Sequence, residues 1–432
     1  MTLRIGVIAD DFTGATDIAG FLVSAGLRTA QLNSPEQAPE NLDADAVVIS
    51  LKTRSIPADD AVQQSLRACR ILQQLGAEQI IFKYCSTFDS TAAGNIGPVT
   101  DALLEELKED FTVIVPALPV NGRTVYQSSL FVHHQPLHES GMKDHPVTPM
   151  TDSNLLRLME AQSRGTAAAV PYQVVEQGPE AVRHALNEAK ARGARYAVID
   201  TLNHDHLDTI GEASRHLRLL TGGSGMGSGL GRALTGRDEA PAAESAAQQW
   251  EFTSGPALVI SGSSSQMTNK QVAEYRQQAP SAALDVARVI DEPRAYLGEL
   301  TEWVLNHIGG APSGPAPMVY ATAAPETVRQ WQQTYGAERL SAAIEGFFGD
   351  LASGLRERGV TRFIVAGGET SGAVTQALGV AGFEVGPQIA PGVPWTLSLD
   401  GALDLALKSG NFGDEQFFAA AQQLVADGSA GS

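Results

Sequence analysis

Short runs of apolar residues alternate along the chain with longer amphipathic stretches, and the alternation starts at once. Leu3 to Ala9 is apolar, Asp10-Asp11-Phe12-Thr13-Gly14-Ala15-Thr16-Asp17 follows, and a helical stretch carries Ile18, Phe21 and Leu22 before Gly26. The same rhythm predicts strands over 46–50, 79–82 and 112–115, with helices over about 58–75 and 99–107 between them. Strands that are apolar throughout and separated by amphipathic helices imply a parallel sheet covered on both faces.

The rhythm stops at Thr221. TGGSGMGSGLGRALTG is rich in Gly and Ser, and DEAPAAESAAQQ after it is polar and rich in Ala. No strand signal precedes the stretch and no GK[ST] closes it, so 221–249 is expected to be a flexible linker and not a phosphate loop. Beyond it the alternation resumes, with strands over 257–260, 318–321 and 361–366 and a helix over 266–278. The expected fold is α/β in two domains, 1–220 and 250–432, each a mostly parallel sheet covered by helices. The active site is expected in the cleft between them.

Composition narrows the partners. The 432 residues divide by roughly 150 into two or three folding units. Lys and Arg number 30 against 49 Asp and Glu, a formal net charge of −19, and the basic residues are scattered pairs such as Lys190 and Arg192. A nucleic-acid partner needs clustered cations and is not expected. An anionic ligand would need a local basic pocket to overcome the overall field. Cys69 and Cys85 are too few for a disulfide framework or a cysteine zinc site, which suits a reducing cytoplasm. Neither a secretory signal nor about 18 consecutive apolar residues is present, so the protein is expected to be cytoplasmic and to have no membrane partner.

Candidate chemistry gathers at strand ends. Asp10 and Asp11 leave the first strand on opposite sides, and Thr13, Gly14 and the helix N-terminus after them offer donors to an anion. A purely structural reading has Asp10 ending the strand and Thr13 capping the helix. Lys83 follows a buried strand and leads into Tyr84-Cys85-Ser86-Thr87-Phe88-Asp89-Ser90-Thr91 and the Gly94-Asn95 turn. With Arg54 from LKTRS it could hold a carboxylate, the lysine as a point charge and the arginine as a fork. Asn121 and Arg123 follow another strand. His133, His134, His138 and His145, like His204 and His206, lack metal-ligand spacing, so metal ligands stay unassigned.

In the second half, three small-residue turns suit a phosphate cradle of backbone N–H groups: Ser261 to Ser265, Gly367-Gly368-Glu369-Thr370, and Gly410 within LKSGNFG. No GxxxxGK[ST] and no strand-embedded GxGxxG occurs, so neither P-loop hydrolysis nor Rossmann hydride transfer has its signature.

Taken in order, ADDFTGATD, LKTRS, KYCSTFDSTAAGNIGPV, PALPVNGRTVYQ, ESGMKDHPVTPMTDSN, SGSSSQMTNKQV, VAGGETSG and LKSGNFG resemble the four-carbon acid sugar kinase family across nearly the whole chain. The resemblance implies an N-terminal domain for the acid sugar, a C-terminal domain for ATP with Mg²⁺, and phosphorylation of the C4 hydroxyl. Within the family, KYCSTFDST is similar to the form found in members acting on 3-oxo-tetronate. D-threonate and D-erythronate kinases more often carry KKIDSTLRGN, with an arginine where Ala93 stands. Phosphoryl transfer needs a carboxylate to accept or orient the hydroxyl proton, and Asp11 or Asp10 is placed to supply it, with Asp89 as the fallback. The substrate residues are Arg54, Lys83, Ser86, Asp89, Ser90, Asn95, Asn121 and Arg123. The ATP residues are Ser261, Ser263, Gly367, Gly368, Glu369, Thr370 and Gly410. A dehydrogenase, an aldolase or a non-catalytic acid-sugar-binding protein are the alternatives, and a homo-oligomer is left open.

Overall fold

The computed structural model describes residues 3–39, 42–144, 148–236, 250–308 and 314–430. The chain divides into two compact units, 1–244 and 245–432. Both are α/β, and among the described residues no helix is long and apolar enough to cross a membrane.

The first unit contains β1 (Ile5–Ala9), β2 (Thr29–Leu32), β3 (Ala46–Ser50), β4 (Gln79–Lys83), β5 (Thr112–Val115), the hairpin strands β6 (Arg123–Tyr126), β7 (Ser129–Val132) and β8 (Gln135–Pro136), then β9 (Ala167–Val170), β10 (Tyr196–Ile199) and β11 (Leu219–Gly222). Its main sheet runs β2-β3-β1-β4-β11-β5-β10-β9, with every pairing parallel. All five residues of β1, β3 and β4 are buried, as expected for strands covered on both faces. The helix Ala58–Gln74 shows how the cover is made: Ala61, Ser65, Ala68, Cys69 and Leu72 recur at helical spacing and bury one face. The register sets Ala9 beside both Ser50 and Lys83, so the chain leaves three adjacent strands at one edge.

The expected linker over 221–249 is corrected in its first half. Thr221 and Gly222 belong to β11, and Gly225–Thr235 is a helix of the first unit, which therefore continues past residue 220. The glycines serve close approach and not freedom. A Cβ on Gly229 would stand 2.0 Å from the Leu207 carbonyl oxygen, one on Gly222 2.3 Å from that of Val115, and one on Gly227 2.7 Å from Ile18 Cγ1. Residues 237–249 of that stretch, and His145, lie outside the described residues.

The second unit contains β12 (Ala257–Ser261), β13 (Ser281–Ala283), β14 (Met318–Tyr320), β15 (Arg362–Ala366), β16 (Gly382–Ala390), β17 (Val393–Ser398) and β18 (Asp404–Lys408). The order β13-β14-β12-β15-β18 is parallel, and β17 and β16 extend it as antiparallel strands. Trp395, Phe417, Phe418 and Tyr275 pack together beside it in one apolar cluster.

Candidate active site

At the edge where β1, β3 and β4 end, Asp10, Asp11, Arg54 and Lys83 form one charged constellation. Arg54 makes a two-pronged bond to Asp10, Nε to Oδ2 at 2.9 Å and Nη2 to Oδ1 at 2.7 Å, and Nη2 also donates to Asp11 Oδ1 at 2.6 Å. The fork expected of Arg54 is present, and its partners are the two aspartates of this chain. The backbone reinforces the joint: Thr53 and Arg54 N–H donate to the Asp10 carbonyl, and Asp10 N–H donates to the carbonyl of Lys83.

Asp11, not Thr13, caps the helix Phe12–Ser24, accepting from Gly14 N–H at 3.1 Å. Lys83 is 4% exposed, and its Nζ lies 3.8 Å from Asp11 Oδ1. The site needs glycine at 14, because a Cβ there would fall 2.0 Å from Lys83 Nζ and 2.3 Å from Asp11 Oδ1. The two carboxyls are tuned apart. Burial pushes Asp10 up against the opposing charge of Arg54. For Asp11 burial also works upward, but the charges of Lys83 and Arg54 outweigh it and hold the carboxyl below its usual range.

The other expected residues of this half divide into braces and lining. Asn95 Nδ2 donates to the carbonyls of Thr53 at 2.7 Å and Ile56 at 2.9 Å, so it fixes the Arg54 loop. Ser90 is fully buried and donates to Gln162 Oε1 at 2.6 Å, while the same oxygen receives Gly97 N–H at 2.9 Å. Asp89 accepts from Thr87 Oγ1 at 2.6 Å. Ser86 lies against Gly223, where a Cβ would be 3.6 Å from its Cα. Asn121 ends a short 3₁₀ turn and accepts, through its carbonyl, from Arg123, whose Nε is buried without a partner.

Asp17, which is not among the expected site residues, belongs to the same constellation. It is hydrogen-bonded to Ser224 and feels the charges of Lys83, Asp11 and Arg123, and burial pushes its carboxyl up. Its distance from Asp11 along the chain gives no signal of this, because six residues turn a helix about 120° away from the same face. Ser224 lies in the segment expected to be a linker and stands at the N-terminus of the helix Gly225–Thr235.

In the second unit three turns converge. Gly262 and Ser263 N–H both donate to the Ala366 carbonyl at the end of β15. A Cβ on Gly262 would be 2.1 Å from Thr370 Oγ1, one on Gly367 would be 3.1 Å from Ser263 N, and one on Gly410 would be 2.6 Å from Ser263 Oγ. Gly367 has φ +127, a conformation that side chains resist, and stands at the N-terminus of the helix Gly368–Ala377. A Cβ on Gly368 would meet nothing within 4 Å, and Glu369 beside it is exposed in the first helical turn. Backbone N–H groups, a helix N-terminus and open space are what a polyphosphate requires. Ser261 lies deeper, fully buried and bonded to Thr322 Oγ1 at 2.6 Å.

The sequence comparisons follow the same division. Residues 5–230 match the family model described as a sugar-binding N-terminal domain, and residues 258–418 match that of a nucleotide-binding C-terminal domain. A 3-oxo-tetronate kinase of Brucella melitensis is 56% identical over 426 residues, covering 98% of this chain and 96% of that protein. The chain belongs to the four-carbon acid sugar kinase family. Another member, the 3-oxo-tetronate kinase of Salmonella typhimurium, is 55% identical over 423 residues, 98% of this chain and 99% of that one. The crystal structure of Haemophilus influenzae protein HI1011 matches with a TM-score of 0.88 at 50% identity, covering 97% of this chain and all of that one. Among the described residues of this family member no three His, Cys, Asp or Glu side chains gather as a metal cage.

Proposed function

We propose that this kinase transfers the γ-phosphoryl group of ATP to the C4 hydroxyl of 3-oxo-tetronate, giving 3-oxo-tetronate 4-phosphate and ADP. The observation that carries this reading is the identity with 3-oxo-tetronate kinases over nearly the full chain, joined to an anion-ready cradle on the second unit and a constellation of paired carboxylates and cations on the first. Lys83 and Arg123 are suited to the substrate carboxylate, since Arg54 gives Nε and Nη2 to Asp10 and Asp11. Arg54 thereby acts on substrate through the aspartates it positions.

Asp11 is the proposed base, and Asp10, held on both oxygens, the brace. The C4 oxygen attacks the γ-phosphorus, its proton passes to the Asp11 carboxylate, and the bond from the γ-phosphorus to the β–γ bridging oxygen breaks to release ADP. The turns at 262–265, 367–370 and 410 would receive the phosphates. Mg²⁺ enters as part of the Mg·ATP substrate, held mainly by phosphate oxygens; such sites use one or two carboxylates and not an all-protein cage. Bound there, it offsets phosphate charge. A cytoplasmic location suits a kinase that draws on ATP.

The test is ADP release with 3-oxo-tetronate, D-threonate and D-erythronate, with NAD and NADP reduction followed in parallel. ADP release that strongly favours the 3-oxo acid is expected. Preference for threonate or erythronate would reassign the substrate, and nicotinamide reduction without ADP would overturn the kinase reading.

A further inference from the structure

Lys408 ends β18 with 1% of its surface exposed. Its ammonium donates to Thr268 Oγ1 and to the Gly410 carbonyl, both at 3.1 Å, and lies 5.7 Å from the centroid of the Phe417 ring. The Gly410 carbonyl is a hub, because Ser265 Oγ and Thr268 Oγ1 each reach it at 2.6 Å. The main chain of Lys408 holds a second turn of the cradle: its carbonyl accepts Gly367 N–H at 2.9 Å. One residue therefore ties Gly410 through its side chain and Gly367 through its backbone.

Two neutral hydroxyls already pin Gly410, so a third donor that carries a charge is not needed for the turn. A buried ammonium without a counter-charge is costly. The charged groups on the elements around it are engaged elsewhere. Lys270 pairs with Glu415 at 2.9 Å, Glu274 accepts from Gln416 and Gln278, and Asp414 accepts Gln416 N–H. Arg362 and Asp404 stand at the opposite ends of β15 and β18, β17 carries no charged residue, and Glu369 is exposed. Burial alone pushes the ammonium down to about 8.

We propose that Lys408 is a positioning residue whose ammonium waits beneath the phosphate cradle as the counter-charge of the nucleotide, so that nucleotide binding is coupled to its protonation. This rests on the reading of the second unit as the ATP site. The sign follows from linkage. A polyanion favours the charged lysine and raises its pKa, so affinity is full below about pH 8 and declines as pH rises through the value of the free protein.

Calorimetry of ATP binding between pH 7.5 and 9.5, in buffers of different ionisation enthalpy, tests this directly. The wild type is expected to take up on the order of one proton near pH 9, with its Kd rising toward roughly tenfold per pH unit. Lys408→Met and Lys408→Gln should bind ATP about tenfold more weakly at pH 7.5, show no such proton uptake, and keep the KM for the acid sugar within about twofold. The melting temperature of Lys408→Met should hold or rise, which a merely structural lysine would not allow. A wild type that binds ATP without proton uptake, or a folded variant with unchanged affinity, overturns the role of Lys408 alone. A wild type that binds no ATP overturns the nucleotide reading and the inference with it. Should both variants fail to fold, proton uptake by the wild type still decides.

Discussion

Arg54 and Asp10 are joined by two parallel hydrogen bonds, at 2.9 and 2.7 Å, and Asp10 is 6% exposed. The bond ties the loop after β3 to the end of β1, so a change at residue 54 acts on the architecture and on the site together.

Arg54→Ala should therefore do more than raise the KM for the acid sugar. It leaves Asp10 buried without its partner, an effect worth about 3 kcal/mol or more. Denaturant titration should show that loss, and steady-state kinetics should show the KM for the acid sugar rising at least tenfold while that for ATP stays close to the wild type. An Arg54→Ala protein with wild-type stability would mean that Asp10 is satisfied in some other way.

Gly14→Ala displaces Lys83 and crowds Asp11 with it. The new methyl group would occupy the position of its ammonium, 2.0 Å away, so the lysine must move. kcat/KM for the acid sugar should fall by roughly tenfold or more, about 1.4 kcal/mol in the transition state, and ATP affinity by calorimetry should not change. Equal damage to both substrates would separate Lys83 from acid-sugar recognition.

The aspartates can be told apart by pairing kinetics with melting curves. Asp11→Asn keeps a competent helix cap, so kcat should fall by about 10² to 10⁴ with little change in melting temperature. Asp10→Asn gives up one side of a charged double bond and should cost about 1 kcal/mol or more in stability. A loss below about tenfold in Asp11→Asn would move the base to Asp17 or Asp89, and Asp17→Asn and Asp89→Asn would then show which one carries it.

Gly368→Val places a side chain where no protein atom lies within 4 Å. If that space belongs to phosphate, ATP should bind at least tenfold more weakly, with melting temperature and acid-sugar KM unaffected. Unchanged ATP affinity in the folded variant would mean that the phosphates lie elsewhere.

Much of this was readable because strand ends are punctuated locally. Asp10, Lys83 and Gly367 each follow or close an unbroken apolar run, and the strands at Ala46–Ser50, Gln79–Lys83 and Arg362–Ala366 fall within one residue of the expected 46–50, 79–82 and 361–366. What the sequence concealed were contacts between distant segments. Nothing local to Arg54 says that Asp10, 44 residues earlier, will take its fork. Nothing near Lys408 says that Thr268, 140 residues away, will meet its ammonium. The glycines at 222–231 misled for the same reason. Glycine means looseness in an isolated chain and tight apposition when another backbone lies against it, and only the partner, Leu207 or Val115, tells which.

The placement of β11 bears on how the protein is made. It is the last strand of its sheet to be synthesised, yet it lies between β4 and β5, both completed more than a hundred residues earlier. Until it emerges from the ribosome those two strands have no common neighbour, and their facing edges must stay unpaired without finding another chain. The main sheet of the first unit is therefore obliged to close only once Leu219–Gly222 has been made, near the end of that unit and shortly before the second begins.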